Sequence, residues 1–456
     1  MASATIQNEL RARFGSEAVL DDVPPSYLRD ETETRGLCGR ADAVVRPRDA
    51  EQVAELLAWC YEREVPIVPR GGGTGYAGGA VPLDGGVVLS LERLDQVRSF
   101  KPLLWRTQVE AGVTTARVRS TAQEGGLLFP PDPGAAEQSQ LGGNIATNAG
   151  GPHAYKYGVT GAWVTGLEAA VPPGELISLG GPFRKDVAGY DLKSLLIGSE
   201  GTLGVITAAW LRLTPAPEAA APVVSCHEGT AAGCAALARV LGTGIPVAAL
   251  EYLDAATVGY AGGSFPGELP PDAFIVLAEV DGSREEVDRL GAELAEVLAE
   301  DASAVFSPAE PSEIAALWRW RDGVSIAVGA ARGGKASEDI VVPFDRLGEA
   351  IEETLEIGRR HRLPACSWGH AGDGNLHSTF LLVPGDEEEL DRSRAATEEL
   401  FALAARLGGS ISGEHGVGRL KRGQLARQWQ PRALALHAAI KRAWDPKGLL
   451  NPGKKE

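Results

Sequence analysis

The sequence has few cysteines and no long apolar segment. Its five cysteines are scattered and none forms a C-x-x-C pair, which excludes the usual iron–sulfur and zinc-knuckle motifs. Runs of about 18 apolar residues are missing, so we expect no transmembrane helix. Residues 1–14 carry charges without an apolar core, so we expect no signal peptide. These absences favour a cytoplasmic protein, with peripheral membrane attachment as the open alternative.

Positive charge is also scarce. The chain has 456 residues, enough for two or three domains, and it carries 44 Lys and Arg against 61 Asp and Glu. The resulting formal net charge of −17 repels phosphate backbones and anionic lipid surfaces. We therefore expect no nucleic-acid partner, and the overall balance argues against an anionic membrane surface.

Glycine, in contrast, is abundant, and residues 69–79 hold a dense cluster of it. This loop reads Pro-Arg-Gly-Gly-Gly-Thr-Gly-Tyr-Ala-Gly-Gly and follows a short apolar strand pattern. Glycine permits tight turns and a close approach of backbone N–H groups to an anion, which predicts a phosphate cradle for a nucleotide cofactor. Gly73, Gly75 and Gly78 spell G-x-G-x-x-G, but a turn and a strand follow where a dinucleotide-binding unit needs a helix. A structural turn without ligand is the remaining interpretation.

Two other stretches lack the period of a helix or a strand. Residues 129–151 are dense in Gly, Asn, Thr and Pro, and residues 199–206 have a similar composition. Long irregular segments in compact domains are usually functional. Small side chains let a planar ring lie against the backbone, while Asn and Thr supply hydrogen-bond donors and acceptors. A long surface loop is the alternative interpretation.

The Pro-Ala-Pro-Glu sequence at residues 215–218 marks a domain boundary. Before it, strands alternate with helices and then form hairpins. After it, helices lie between strands that lack the continuous apolar runs of a parallel sheet. This pattern predicts an α+β fold, with an antiparallel sheet covered on one face by helices in the second part.

Three of the seven histidines fall in two short motifs. His370 and His377 flank a glycine-rich turn that can bring two imidazoles toward one point. With Glu414 they offer two nitrogens and a carboxylate, a ligand set that suits a divalent metal with open positions. His415, next to that carboxylate, is a candidate general base. The alternatives are a hairpin with two exposed histidines and a capping role for His415.

Two cations are candidates for binding a substrate carboxylate. Arg321 lies on a predicted helix that continues toward Ser325, and a planar guanidinium matches a carboxylate in bidentate geometry. Lys335, in a Gly-Gly-Lys-Ala sequence, is the second candidate. Since surface arginines are common, a plain solvent-exposed position is the alternative for Arg321.

Together these motifs resemble the FAD-linked oxidases of the vanillyl-alcohol oxidase type, in their D-2-hydroxyacid dehydrogenase branch. The resemblance covers nearly the whole chain and includes residues 27–30, 156–159, 189–192, 412–418 and 445–454. It implies a two-lobed fold. Residues 1–217, with residues 411–456 returning to them, would form the FAD-binding domain. Residues 218–410 would form a cap domain with an antiparallel sheet covered by helices.

The resemblance also implies a set of residues that contact FAD. Residues 69–75 would bind the pyrophosphate and the others would lie along the flavin. Some members attach the flavin through a histidine in the glycine loop, and this loop has none, so noncovalent FAD is expected. The expected contacts are Pro69, Arg70, Gly71, Gly72, Gly73, Thr74, Gly75, Gly79, Pro131, Asp132, Gly134, Leu141, Gly142, Asn144, Thr147, Asn148, Gly204, Ile206 and Asn451.

The implied reaction is the oxidation of a D-2-hydroxyacid to the 2-oxoacid. Zinc or a similar metal on His370, His377 and Glu414 would lower the pKa of the substrate hydroxyl. His415 would accept the proton, Arg321 would fix the carboxylate, and the hydride would pass to flavin N5. The electrons would then go to an external acceptor, for which partner subunits and a quinone are both open, and a homodimer is one open oligomeric state.

The substrate is expected to resemble lactate or glycolate. Members that act on hydroxyglutarate have an asparagine two positions after the second motif histidine, where this chain has Thr379. Those members also have a lysine near a pair of acidic residues, for which Lys335 is the candidate. The alternatives are a D-2-hydroxyglutarate-type dehydrogenase, a non-redox flavin-dependent transferase and a non-catalytic flavin subunit of a complex.

Overall fold

The computed structural model describes residues 3–455. Helices occur throughout these residues. Within those residues, no helix combines the length and the apolar character that crossing a bilayer requires. The helices are α1 Ser3–Phe14, α2 Ala50–Arg63, α3 Thr115–Glu124, α4 Leu141–Thr147, α5 Ala154–Tyr157, α6 Leu192–Leu196, α7 Gly229–Thr243, α8 Ala255–Ala261, α9 Arg284–Ala299, α10 Pro311–Ala330, α11 Leu347–Arg360, α12 Glu387–Arg406 and α13 Pro431–Trp444.

Strands alternate with these helices, which gives the α+β class expected from the sequence. They are β1 Ala43–Val45, β2 Ile67–Arg70, β3 Val87–Ser90, β4 Val97–Lys101, β5 Arg106–Glu110, β6 Leu127–Leu128, β7 Val164–Val171, β8 Glu175–Gly180, β9 Val205–Arg212, β10 Thr214–Pro215, β11 Ala219–Glu228, β12 Ala249–Leu253, β13 Ala273–Gly282, β14 Ala304–Phe306, β15 Gly334–Val341, β16 Ala365–His370 and β17 Asn375–Leu382.

The chain forms two compact units. The first unit contains Met1–Gly150, Gly158–Ala216 and Glu414–Glu456, and the second contains Gly151–Tyr157 and Pro217–Gly413. The division expected from the sequence, 1–217 with 411–456 and 218–410, differs from this at Pro217 and residues 411–413, which lie in the second unit, and in the short segment Gly151–Tyr157. That segment belongs to the second unit because its polar side chains bind β13: the Tyr157 hydroxyl donates to Asp281 at 2.5 Å, and Lys156 is ion-paired with the same carboxylate.

The first unit contains a parallel sheet with the strand order β1-β3-β2 and an antiparallel sheet with the order β4-β5-β9-β7-β8. Helix α2 begins after Asp49, whose side chain accepts a hydrogen bond from the Gln52 N–H. Helical spacing places Val53, Leu56 and Leu57 on one face, and all three are buried in a core shared with the parallel sheet. Each such burial contributes about 1.5–3 kcal/mol, so α2 anchors the sheet that carries the glycine loop.

The glycine loop lies where the sequence predicts it. Residues 71–86 connect the parallel neighbours β2 and β3 through turns. A dinucleotide-binding unit would begin a helix at this point, so the rejection of that interpretation is confirmed.

The second unit is built on an antiparallel sheet with the order β14-β11-β13-β12-β16-β17-β15. Adjacent residues of β13 face opposite sides. Phe274 fills the space where a side chain at Gly233 of α7 would lie, whereas Ile275 and Leu277 share a core with Leu317 of α10. Helices therefore pack on both faces, where the sequence predicted one, because β13 is apolar at successive positions rather than at alternate ones.

Candidate active site

The side chain of Arg70 supports the glycine loop of the first unit. The Arg70 guanidinium donates to the backbone carbonyl of Arg29 at 2.8 Å and to that of Ser26 at 2.7 Å. Gly73 has a φ of +73°, and a Cβ on it would lie 1.9 Å from Arg70 Nη2. Glycine is required at position 73 because the Arg70 guanidinium occupies the space that a side chain would need. The side chain of Arg70, an expected FAD contact, is thus hydrogen-bonded to the backbone of residues beside the loop.

The same unit leaves room and hydrogen-bonding capacity beside the loop. A Cβ added at Gly75 or at Gly143 would meet no atom within 4 Å. Among the described residues, the Gln140 Oε1 and Ser199 Oγ atoms are buried and have no hydrogen-bond partner. Since buried polar atoms are nearly always paired, these atoms indicate a polar ligand along the segments that were expected to contact FAD. The residues present therefore fit this cofactor.

The expected flavin contacts on α4 are supported by internal hydrogen bonds. The Asn144 amide donates to the Thr115 hydroxyl at 2.5 Å. Asn148 ends the helix with a φ of +55°, and its Oδ1 accepts from the Gly161 N–H at 2.8 Å. These two asparagines thus shape the backbone of the segment, and their amide groups are engaged by protein atoms.

The C-terminal segment of the first unit returns to the glycine loop. The Asn451 amide donates to the carbonyl of Gly79 at 3.0 Å and to that of Glu200 at 2.8 Å. The Glu200 carboxylate in turn accepts from the N–H groups of Val417 at 2.9 Å and Gly418 at 2.6 Å. Glu200 was not singled out from the sequence. The sequence feature that could have identified it is a carboxylate among the small and polar residues of the Ser-Glu-Gly-Thr segment.

His415 lies against the glycine loop through an aromatic contact. Its ring stacks on Tyr76, with centroids 4.9 Å apart and an interplanar angle of 29°. Glu414 approaches the irregular segment of the same unit, since a Cβ on Gly150 would lie 2.8 Å from Glu414 Oε2. The glycine loop, the segment ending at Gly150 and the Glu414–His415 pair thus converge within the first unit. Tyr76 was not singled out from the sequence, and its contact with His415 is seen only in the structure.

In the second unit, the turn between β16 and β17 brings the two motif histidines together. Gly374 has a φ of +65°, and a Cβ on it would lie 2.1 Å from the Val342 carbonyl oxygen, so glycine is required in this turn. The His370 and His377 rings meet edge to face with centroids 5.2 Å apart. A ring nitrogen of each lies within 4.8 Å of one on the other. Both residues are buried, so the interpretation as a hairpin with two exposed histidines is wrong.

The sheet register explains why polar groups gather beside these histidines. Directly opposite residues in an antiparallel ladder point to the same face. Glu251 of β12 is opposite His370, and Asp339 of β15 is opposite His377. Trp368 is opposite His377 and lies two residues before His370 on the same strand. The Glu251–His370 and Asp339–His377 pairs therefore lie on one face of the sheet.

Glu251 connects His370 to Arg321. Its carboxylate accepts from His370 Nδ1 at 2.7 Å and from Arg321 Nε at 2.7 Å. Burial by itself raises the pKa of Glu251, but the charges and hydrogen bonds of Arg321 and His370 outweigh it and lower the pKa to about 2. An ionised carboxylate on Nδ1 fixes the tautomer of a histidine, as it does for many metal-ligating histidines. Sequence analysis missed Glu251, whose signal was a carboxylate in the middle of an apolar strand.

The structure places Arg321 and the other substrate candidates in the second unit. Arg321 is buried on α10 and pairs with Glu251, so its contact with a substrate carboxylate stays a prediction. The Lys335 ammonium donates to the backbone carbonyl and the hydroxyl of Ser325. The Thr379 hydroxyl is hydrogen-bonded to Ser337 at 2.7 Å. Lys335 and Ser325 thus contact each other, and their contact with a substrate stays a prediction.

Glu414 follows a residue that is tied to the histidine sheet. The Gly413 N–H donates to Asp339 at 2.9 Å, and Asp339 is opposite His377. Glu414 Oε1 lies 3.8 Å from His415 Nε2, so the two side chains are adjacent. The chain therefore passes from the sheet that carries the histidines directly into the Glu414–His415 pair.

Two family models match this sequence. One, described as FAD linked oxidases, C-terminal domain, matches residues 217–455, and another, described as FAD binding domain, matches residues 41–180. The glycolate oxidase subunit GlcD of Bacillus subtilis (strain 168) is 36% identical over 91% of this chain and 88% of its own length. A probable mitochondrial D-lactate dehydrogenase of Danio rerio is 35% identical over 98% of this chain and 91% of its own length.

A solved structure shares the fold. The structure of p-cresol methylhydroxylase with substrate bound matches with a TM-score of 0.82, covering 99% of this chain and 96% of that chain. Its sequence identity is 18%, so this likeness concerns the fold alone. It confirms the fold class expected from the sequence.

Proposed function

This chain belongs to the FAD-linked oxidases, and from that membership we propose that it oxidises a small D-2-hydroxyacid with the help of a divalent metal. It is an FAD-dependent 2-hydroxyacid dehydrogenase, since its relatives are named for D-lactate and glycolate and match it over nearly the full length. The prediction of FAD is confirmed by the family models. The metal, the substrate and the roles of single residues are proposals.

The observation that carries the metal proposal is the buried pair of His370 and His377 with Glu251 on His370 Nδ1. Two adjacent imidazoles, one of them with a ring nitrogen held by a carboxylate, are a typical arrangement of metal ligands. We propose Glu414 as the third ligand, because Gly413 is bonded to the residue opposite His377. Two histidines and a glutamate suit zinc and leave a position for a substrate oxygen.

The chain's own residues would bind and deprotonate the substrate. His415 accepts the hydroxyl proton on a ring nitrogen, and stacking on Tyr76 restricts how that ring can turn. Arg321 binds the substrate carboxylate while Glu251 limits its movement. When bound, the metal would supply Lewis acidity toward a substrate oxygen, and FAD would supply the acceptor for a hydride. Loss of one proton and one hydride converts the 2-hydroxyacid to the 2-oxoacid, and the two electrons would then pass to an external acceptor.

A small monocarboxylate is the favoured substrate class. The two residues considered for a second carboxylate are both engaged by protein groups, Lys335 by Ser325 and Thr379 by Ser337. A second carboxylate would have to compete with those hydrogen bonds. This supports a substrate of the size of D-lactate or glycolate over D-2-hydroxyglutarate.

An anaerobic titration tests the function directly. The purified protein should be yellow and contain about one metal ion per chain, and D-lactate or glycolate should bleach the flavin in the absence of oxygen. L-lactate is the matched control and should bleach it far more slowly. A yellow, metal-containing protein that no 2-hydroxyacid bleaches would contradict the proposal.

Glu251 is expected to act through the metal ligand it holds. Replacing it by glutamine should weaken metal binding about 10- to 100-fold, because the amide no longer fixes the His370 tautomer as an anion does. It also leaves the buried Arg321 without its counter-ion, which should cost about 3–5 kcal/mol of unfolding free energy. Chelator competition measures the first effect and thermal unfolding the second.

Glu279→Gln is the control for this variant. Glu279 is also buried in the sheet, where it accepts from Trp318 Nε1 at 2.7 Å and is hydrogen-bonded to His153 at 2.8 Å. Its loss should leave metal affinity unchanged. Equal metal affinities of Glu251→Gln and the unmodified protein would show that Glu251 has only a structural role.

A further inference from the structure

One end of the β4-β5-β9-β7-β8 sheet exposes large apolar side chains. The turn that joins β4 to β5 carries Leu103 and Leu104, which are 94% and 57% exposed, and Trp105, which is 40% exposed. Phe183, in the segment that follows β8, is 47% exposed. Single exposed apolar residues are common, but four in two adjoining loops form a patch that usually marks an interaction site.

The strand register brings these two loops to the same end of the sheet. Lys101 is opposite Arg106, and Arg106 is opposite Arg212 at the end of β9. The β7 strand begins at that end, and Gly180, the last residue of β8, is opposite its Gly166. The β4–β5 turn and the segment after β8 therefore leave the sheet at the same end.

Direct contacts join the loops. Arg106 Nη1 donates to the Pro182 carbonyl at 2.7 Å, and the Arg184 guanidinium lies over the Trp105 ring at 5.4 Å from its centroid. We call this surface the end patch, defined by Leu103, Leu104, Trp105 and Phe183 with Lys101, Arg106, Arg184 and Lys185.

The charge of the end patch is opposite to that of the chain. Residues 101–106 and 182–185 contain two Lys and two Arg and neither Asp nor Glu, in a chain with a net charge of −17. The overall charge argues against an anionic surface, but electrostatic attraction falls off within about 8 Å at physiological salt. The local cations therefore decide what can approach this end of the sheet.

We propose that the end patch docks the protein onto the surface of an anionic phospholipid bilayer. Leu103 and Leu104 project beyond the ends of β4 and β5, where they can enter the boundary between headgroups and acyl chains. Trp105 and Phe183 suit the interface, and Lys101, Arg184 and Lys185 pair with lipid phosphates. This proposal goes beyond the reaction, since none of these residues has been placed in the candidate active site.

Vesicle co-sedimentation of the full-length, FAD-loaded protein tests the proposal. It should bind vesicles of phosphatidylcholine mixed with phosphatidylglycerol, bind pure phosphatidylcholine far less, and dissociate at high salt. Arg184→Gln with Lys185→Gln should lower the partition coefficient about thirtyfold, because each basic residue contributes about fivefold at an anionic surface. Leu103→Ser with Leu104→Ser should lower it about tenfold or more.

The matched control changes an exposed leucine and an exposed arginine elsewhere. Leu436→Ser with Arg432→Glu on α13 should bind vesicles like the unmodified protein. Flavin reduction by substrate should be unchanged in every variant, which separates this test from that of the function. The proposal is overturned if the unmodified protein stays in the supernatant with anionic vesicles, or if the control loses binding equally. It is also overturned if the end-patch variants disrupt a dimer or another protein complex and leave vesicle binding intact.

Discussion

Replacing His377 by alanine is expected to remove the metal and to slow substrate oxidation about a thousandfold or more, while the protein stays yellow. His377 is one of two adjacent buried imidazoles, and a single remaining histidine with one carboxylate binds a divalent ion far more weakly. Lewis-acid stabilisation contributes several kcal/mol to a reaction of this kind, and each 1.4 kcal/mol corresponds to a factor of ten. The glycine loop lies in the first unit and should keep its FAD.

Elemental analysis and stopped-flow flavin reduction measure the two effects of this variant. His361→Ala is the control, because His361 is hydrogen-bonded to Glu399 at 2.7 Å and lies in neither histidine motif. The control should keep both metal and rate. If His377→Ala retains a full complement of metal, the ligand assignment is wrong.

Replacing His415 by alanine is expected to slow flavin reduction about 10²- to 10⁴-fold with both FAD and metal retained. A positioned general base contributes a factor of this size, and His415 is held in position by stacking on Tyr76. Because we propose His415 as the base and not as a ligand, its loss should leave metal content unchanged, in contrast to His377→Ala. Added imidazole should restore part of the rate, which a purely structural role would not allow.

Tyr76 supplies the control for that experiment. Tyr76→Phe keeps the aromatic ring that stacks on His415 and should leave the rate nearly unchanged, whereas Tyr76→Ala should lower it. A His415→Ala protein that reduces its flavin at the normal rate would assign the proton transfer to another group.

Local patterns predicted much of the site. The glycine loop was found because runs of glycine between apolar strands are rare, and the structure places it between β2 and β3. The His370–His377 turn was found because two histidines separated by a glycine-rich turn stand out in a chain with seven histidines. In both cases the relevant residues are close in sequence, so short-range rules on turns and strands apply.

Residues that act across long sequence separations were missed. Glu251 binds His370 over a separation of 119 residues, and Glu200 binds Val417 over 217 residues. A buried carboxylate looks like any other glutamate until its strand is paired in register. The net charge is limited in a similar way, since it describes the whole chain and does not describe the local charge of the end patch.

By itself the sequence determined the α+β class, the cofactor and the two histidine motifs, because each depends on neighbouring residues or on a family pattern. Only the tertiary structure decided that helices cover both faces of the second sheet and that Gly151–Tyr157 belongs to the second unit. It also decided that Glu251 stands between Arg321 and His370. These features depend on strand order and register, which are set by the packing of distant segments and carry no short-range signature in the sequence.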